Sequence, residues 1–285
     1  MKLHYYAFQY NFGDAINPWL WNKLLPGMLD DNPETVFVGI GTLINDELPK
    51  AKHTIVFGSG VGYVKNHLPQ VDQSWKIYCL RGPLSAHALN VLTKHAVTDA
   101  ALLATKYFSS DSVNKKNKFS YMPHMLQANR GGNSWKSVCD DLGIGFISPL
   151  WDVEKVISSI NSSDCLLTES LHGAIIADGL RVPWVPIKAF SEEVLDFKWL
   201  DWCASIGVDY IPQYTMPLWD KGGNKDFGQP LRSWIKKKIV RLQLLKIIKT
   251  SDRFLSEGTR LRSLMDKLEE KVCEFKKDME RGIFN

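Results

Sequence analysis

Short apolar runs and amphipathic stretches alternate along most of the chain. Runs at 3–6, 35–39, 54–57, 76–80, 119–122, 145–147, 165–168 and 184–187 read as strands. Stretches with apolar residues three and four apart, at 18–25, 83–92, 135–142, 151–160 and 171–180, read as the helices between them. Such alternation predicts an α/β protein with mostly parallel sheets. The segment 109–118 (SSDSVNKKNK) has Val113 as its one apolar residue, and a strand pattern restarts at Phe119. Two Rossmann-like halves are therefore expected, 1–112 and 113–230. Ligands would collect at strand carboxyl ends in a central cleft.

After a loop at 214–230 the pattern becomes wholly helical, which sets off 231–285 as a C-terminal helical tail. Leu231, Trp234, Ile235, Ile239, Leu242 and Leu245 form an apolar stripe beside a run of Lys and Arg. A second stripe runs through Leu261, Leu264, Leu268, Val272, Phe275 and Met279. Two readings stand. The helices pack back on the body or on a second subunit, as in a homo-oligomer. Alternatively they offer a basic amphipathic surface to an anionic membrane.

Charge sharpens this division. The 285 residues carry 35 Lys and Arg against 31 Asp and Glu, a net of +4. Residues 231–285 hold 15 basic and 8 acidic groups, a net of +7, which leaves −3 for the rest. The body is not basic enough for a nucleic-acid surface. The 5 cysteines form no CxxC pair, so neither a zinc site nor a disulfide framework is expected, and no metal ligands cluster. Residues 1–10 contain one Lys and no apolar core, unlike a signal peptide. A cytoplasmic protein is expected, peripheral on the inner face of the plasma membrane if the tail meets lipid.

Four segments fall where strands meet helices. Thr168-Glu169-Ser170-Leu171-His172-Gly173 joins a buried strand to an apolar helix. Backbone N–H groups and the helix dipole favour an anion there, with His172 in the first turn as proton donor or anion ligand. It equally reads as a capped turn, with Thr168 or Ser170 as the cap. Gly58-Ser59-Gly60 follows another strand and would let the backbone approach a ligand. Arg81 precedes a helix opened by Pro83, where a guanidinium can fork onto phosphate or carboxylate, or onto a surface acid. Asp14 and Asn17, after the first strand, border the cleft or cap a helix. His124, at the end of the strand that opens the second half, is a further candidate.

Residues 11–18, 58–62, 81–83 and 99–103, and above all 169–185 (ESLHGAIIADGLRVPWV), resemble the polysaccharide pyruvyl transferase family. The resemblance covers most of 1–190. It implies a two-domain enzyme of GT-B-like architecture, needing no cofactor. Such an enzyme moves the pyruvyl unit of phosphoenolpyruvate onto a sugar, releases phosphate and leaves a cyclic ketal. The acceptor would be a saccharide of a surface polysaccharide or exopolysaccharide, or its lipid-linked precursor. It further implies that His172 holds or protonates the donor, that Arg81 offsets its charge, and that Asp14 or Glu169 serves the sugar hydroxyl. Asn17, Gly58, Ser59, Gly60, His124, Ser170, Leu171 and Gly173 would line the substrates. Where the family often has Arg two residues before the His, this chain has Ser170. Two alternatives remain: a GT-B glycosyltransferase holding a nucleotide sugar at the same helix start, and a non-catalytic subunit docked through its tail.

Overall fold

The structure is a computed structural model that describes residues 1–108, 114–189, 195–218 and 229–284. The chain opens with β1 (Lys2–His4), α1 (Phe12–Leu24), β2 (Thr35–Val38), β3 (His53–Phe57), β4 (Trp75–Cys79) and α2 (Pro83–Ala88). There follow β5 (Ser120–Met122), α3 (Met125–Leu142), β6 (Gly145–Phe146), α4 (Val153–Asn161), β7 (Leu166–Thr168), α5 (Leu171–Gly179) and β8 (Trp184–Lys188). Last come α6 (Asp196–Ile206), β9 (Gln213–Tyr214), α7 (Gln229–Thr250) and α8 (Gly258–Glu280). The strands form two parallel sheets, as the alternating pattern predicts. Helices separate most consecutive strands, but β2–β3 and β3–β4 are joined without one.

Two compact units result. The first comprises Met1–Tyr107, Leu195–Tyr210 and Ser256–Asn285; the second comprises Phe108–Val194 and Ile211–Leu255. The tail expected at 231–285 is thus divided, with α7 in the second unit and α8 in the first. Segment 195–210 also returns to the first unit, where the sequence reading placed it in the second half. The reason is apolar surface: α8 joins α1 in covering one face of the first sheet, and α7 joins α3 in covering one face of the second.

In the first unit the sheet order is β1-β2-β3-β4. Strand alternation turns Val36, Val38 and Val56 to a face that packs with Ala86 and Leu89 around α2. The other face is aromatic. Trp21 of α1 stands edge-on to Phe37 and Phe57, with centroids 4.8 and 5.0 Å away. Phe275 of α8 meets Phe37 at 5.6 Å and Tyr78 at 5.3 Å. The Tyr78 hydroxyl donates to Asp278 at 2.8 Å and pins α8 to β4. Helix α1 starts at Phe12, earlier than its apolar pattern suggests, and encloses Pro18. Pro18 has no N–H for the Asp14 carbonyl, and Asn17 Nδ2 approaches that carbonyl instead at 3.3 Å.

In the second unit the order is β6-β5-β7-β8-β9. The chain enters at β5, moves to β6 on one side, then crosses to β7 on the other. The direction of winding therefore reverses between β5 and β7, which makes their carboxyl ends a topological switch point. One sheet face packs Tyr121, Leu167, Val185 and Ile187 against Trp135 of α3 and Val240, Leu244 and Ile247 of α7. Helix α3 begins ten residues before the expected Trp135. The early start follows from His124 as cap and from Gln127, whose Oε1 accepts from Trp135 Nε1 at 2.9 Å. All five cysteines are free, four of them buried as small hydrophobes and Cys273 exposed.

Candidate active site

The switch point of the second unit gathers most of the candidate residues. Between β7 and α5 the chain turns through Glu169 and Ser170. The Thr168 hydroxyl accepts from Ser170 N at 2.9 Å, and Ser170 Oγ caps α5 by accepting from Gly173 N at 3.3 Å. Gly173 is required by space: a Cβ there would lie 2.8 Å from both Met122 Sδ and Thr168 Oγ1. The start of α5 therefore sits tight against the ends of β5 and β7. Its first turn, with Leu171 and His172, is where helix N–H groups face outward and the dipole favours an anion. His172 is half-buried, and its Nε2 is shielded from solvent.

Glu169 lies beneath this turn, 1% exposed. Its Oε1 accepts a short hydrogen bond from the Tyr121 hydroxyl on the neighbouring strand. Its Oε2 is buried without a hydrogen bond of good geometry. Burial drives the Glu169 pKa up to about 7; the Tyr121 hydroxyl and the backbone N–H groups of His124 and Ala189 oppose that shift. His124 ends the β5 strand segment, and its Nδ1 accepts from Leu126 N at 3.4 Å. A neutral ring used this way carries its proton on Nε2. Glu169, Ser170, Leu171, His172, Gly173 and His124 thus share one strand-end region of the second unit.

The residues expected in the first half are placed differently. Arg81 is 0% exposed, and its guanidinium is engaged by protein on every side. Its Nε donates to Asp201 Oδ2 at 3.0 Å, Nη1 to the Thr42 hydroxyl at 2.7 Å and Nη2 to the Val61 carbonyl at 3.2 Å. The guanidinium expected on a phosphate is instead shared among Asp201 of α6, Thr42 and the Val61 carbonyl. The glycines serve the same packing. Gly58 has φ +85°, and a Cβ would meet Ala100 at 2.3 Å; a Cβ on Gly60 would meet the Arg81 guanidinium at 2.3 Å. Ser59 Oγ donates to the Gly41 carbonyl at 3.0 Å and accepts from Leu43 N at 3.3 Å. The close approach made possible here is between protein segments. Asn17 is likewise committed, donating to the Ile40 carbonyl at 2.9 Å and accepting from Ile40 N and Trp21 Nε1.

Asp14 differs from these. It lies in the first turn of α1 and accepts from Asn11 Nδ2 at 2.8 Å. Burial raises its pKa to about 6, opposed by the Asn11 bond and then by the positive charge of Lys198. Lys198 Nζ reaches the hydroxyl of the exposed Tyr63 at 3.5 Å. Exposed Tyr6 and Phe8 follow β1 nearby in sequence, with ring centroids 5.7 Å apart.

Sequence reasoning missed Asp201, Tyr121 and Lys198. The one trace of Asp201 is an acid set between tryptophans in Trp199-Leu-Asp-Trp202, a poor surface pattern. Among the described residues no group of three or more His, Cys, Asp or Glu is placed to hold a metal ion.

Two comparisons bear on this geometry. The family model for polysaccharide pyruvyl transferase matches residues 9–188, which run from α1 through β8 and leave out β1. The chain is also similar to the succinoglycan biosynthesis protein ExoV of Rhizobium meliloti (strain 1021). The two are 40% identical over 217 residues, 75% of this chain and 67% of that protein.

Proposed function

Because the chain belongs to the polysaccharide pyruvyl transferase family, we propose that this enzyme draws its pyruvyl unit from phosphoenolpyruvate. The acceptor is a saccharide of an exopolysaccharide or of its lipid-linked precursor, and the product is a cyclic pyruvate ketal. The two parallel-sheet units are of the kind from which GT-B-like enzymes are built. The observation that carries the reading is the α5 start at the switch point, with a carboxyl held near neutrality beneath it.

The chemistry has a closed balance. A proton adds to C3 of phosphoenolpyruvate and turns the methylene into a methyl group, leaving C2 electrophilic. One sugar hydroxyl bonds to C2 and gives up its proton. A second hydroxyl then bonds to C2 as the C2–O bond to phosphate breaks. Of the two hydroxyl protons, one replaces the proton spent on C3 and the other leaves with inorganic phosphate.

In this proposal the first turn of α5 binds the phosphate, and His172 serves as its ligand and as proton donor. Ser170 caps that turn; in place of a family Arg it adds no charge, so the helix start and His172 carry the anion. Glu169 is too buried to meet a sugar and positions Tyr121 and the His124 turn. Asp14 is the hydroxyl ligand, its carboxyl being half-ionised near pH 6. Arg81 holds α6 in the first unit and is a positioning residue.

The test is incubation with phosphoenolpyruvate and a panel of oligosaccharide acceptors. Equal amounts of released phosphate and ketal-bearing product are expected by colorimetry and mass spectrometry. Stabilisation by nucleotide sugars, with no phosphate released from phosphoenolpyruvate, would instead establish glycosyl transfer.

A further inference from the structure

Helix α7 has two apolar faces, and the fold uses one of them. Val240, Leu244 and Ile247 are buried in the core of the second unit. The stripe singled out from sequence lies on the opposite side of the helix. Trp234 is 57% exposed, Ile235 43% and Leu242 67%. At 100° per residue, 234, 238, 242, 245 and 249 fall within one narrow sector, away from 240, 244 and 247. Lys238 sits over the Trp234 ring, 5.5 Å from its centroid, and Arg232, Lys246 and Lys249 are exposed.

The charge of this helix is one-sided. Residues 229–250 contain seven Lys and Arg and no Asp or Glu, a net of +7. Helix α8, in 258–280, contains six of each sign. The excess charge of the C-terminal region therefore resides in α7 alone. No helix of the described residues is long and apolar enough to cross a membrane. A basic helix that exposes Trp, Ile and Leu on its outer side instead has the composition of a segment lying in a headgroup layer.

We propose that the outer face of α7 is a docking surface for an anionic lipid bilayer. Trp234, Ile235 and Leu242 enter the interface, and Arg232, Lys238, Lys246 and Lys249 pair with lipid phosphates. The uniform positive sign of the helix selects the occupant, since a neutral protein surface would not call for seven cations without one acid. This docking is independent of the donor assigned above, because it is read without turnover.

The experiment is flotation of the full chain with vesicles of phosphatidylcholine alone and of phosphatidylcholine with phosphatidylglycerol. Binding to the anionic vesicles is expected to exceed binding to neutral ones by roughly tenfold or more and to fall with added salt. The double substitution Trp234→Glu and Leu242→Glu should abolish it. Both side chains are exposed, so the circular dichroism spectrum and melting curve should match those of the unaltered chain. Equal binding to both vesicle types, or unchanged binding by the double variant, overturns the proposal. Loss of self-association in that variant, with no vesicle binding by the parent, also overturns it and assigns the face to a second copy of the chain.

Discussion

Arg81 and Asp201, 120 positions apart in the chain, form an ion pair 3.0 Å long between side chains that are both 0% exposed. Asp201 also accepts from Ser85 N at 3.0 Å and from the Ser85 hydroxyl at 2.5 Å, so one carboxylate fastens α6 to the start of α2. Removing one partner leaves the other charged and dry. Arg81→Ala is expected to cost about 3–5 kcal/mol of stability, measured by urea denaturation. Arg81→Lys keeps the charge but cannot reach Asp201, Thr42 and Val61 together, and should recover only part of the loss. Stability equal to the parent in Arg81→Ala would remove the structural role assigned to the pair.

Glu169→Gln tests the buried carboxyl through pH. The native group holds its proton up to about pH 7, whereas in the unfolded chain it ionises near 4.5. Between these values the unfolded state has lost a proton that the native state keeps. The parent's stability therefore falls as pH rises through that window and levels off above it. The Gln variant lacks the part of that slope that Glu169 contributes, while Asp14, raised to about 6, keeps its own. Above pH 7 it should be the more stable protein, by on the order of 3 kcal/mol. Parallel stability curves for the two proteins across the window would refute the assignment.

Tyr121→Phe moves the same equilibrium in the other direction. The Tyr121 hydroxyl favours the Glu169 carboxylate, so its loss should push the pKa further above 7 and extend the sloping region upward. The orphaned acceptor should add about 1–3 kcal/mol of destabilisation.

His172→Ala should lower turnover by roughly 100- to 10,000-fold, the usual range for losing a positioned acid or base. The residue is half-buried in a helix first turn capped by Ser170, so the melting temperature should change little. Phosphate release measured beside a circular dichroism melt separates the two effects. Near-parental turnover would assign the donor to other residues.

Asp14→Asn addresses the acceptor. If the carboxylate serves a sugar hydroxyl, parental activity should rise with pH through about 6, and the variant should lose that limb. A pH–rate profile of kcat/KM over this range reads it directly.

The two sheets and the α5 start were legible in the sequence because strand–helix alternation and turn chemistry are local. Thr168 through Gly173 show their cap and their glycine within six residues. Arg81 was not legible in the same way. Its partner lies on α6, and nothing near Arg81 announces an acid that returns from residue 201. The glycines at 58 and 60 pose the same difficulty, since sequence shows that a backbone can be approached but not what approaches it. On α7 the periodicity was visible, yet two overlapping stripes occupy one helix. Only packing shows that Val240, Leu244 and Ile247 face the core.

The order in which the chain leaves the ribosome bears on the two units unequally. The second unit holds all its residues once Leu255 is made, although it begins at Phe108. The first unit begins at Met1 but takes Phe275 from α8, so the aromatic face of Phe37 and Tyr78 waits until α8 has been made. The first unit thus closes its core after the second. A message cut short before α8 would yield a completed second unit joined to a sheet whose aromatic face is only partly covered, by Trp21, a species fit for chaperone capture or aggregation rather than for partial activity.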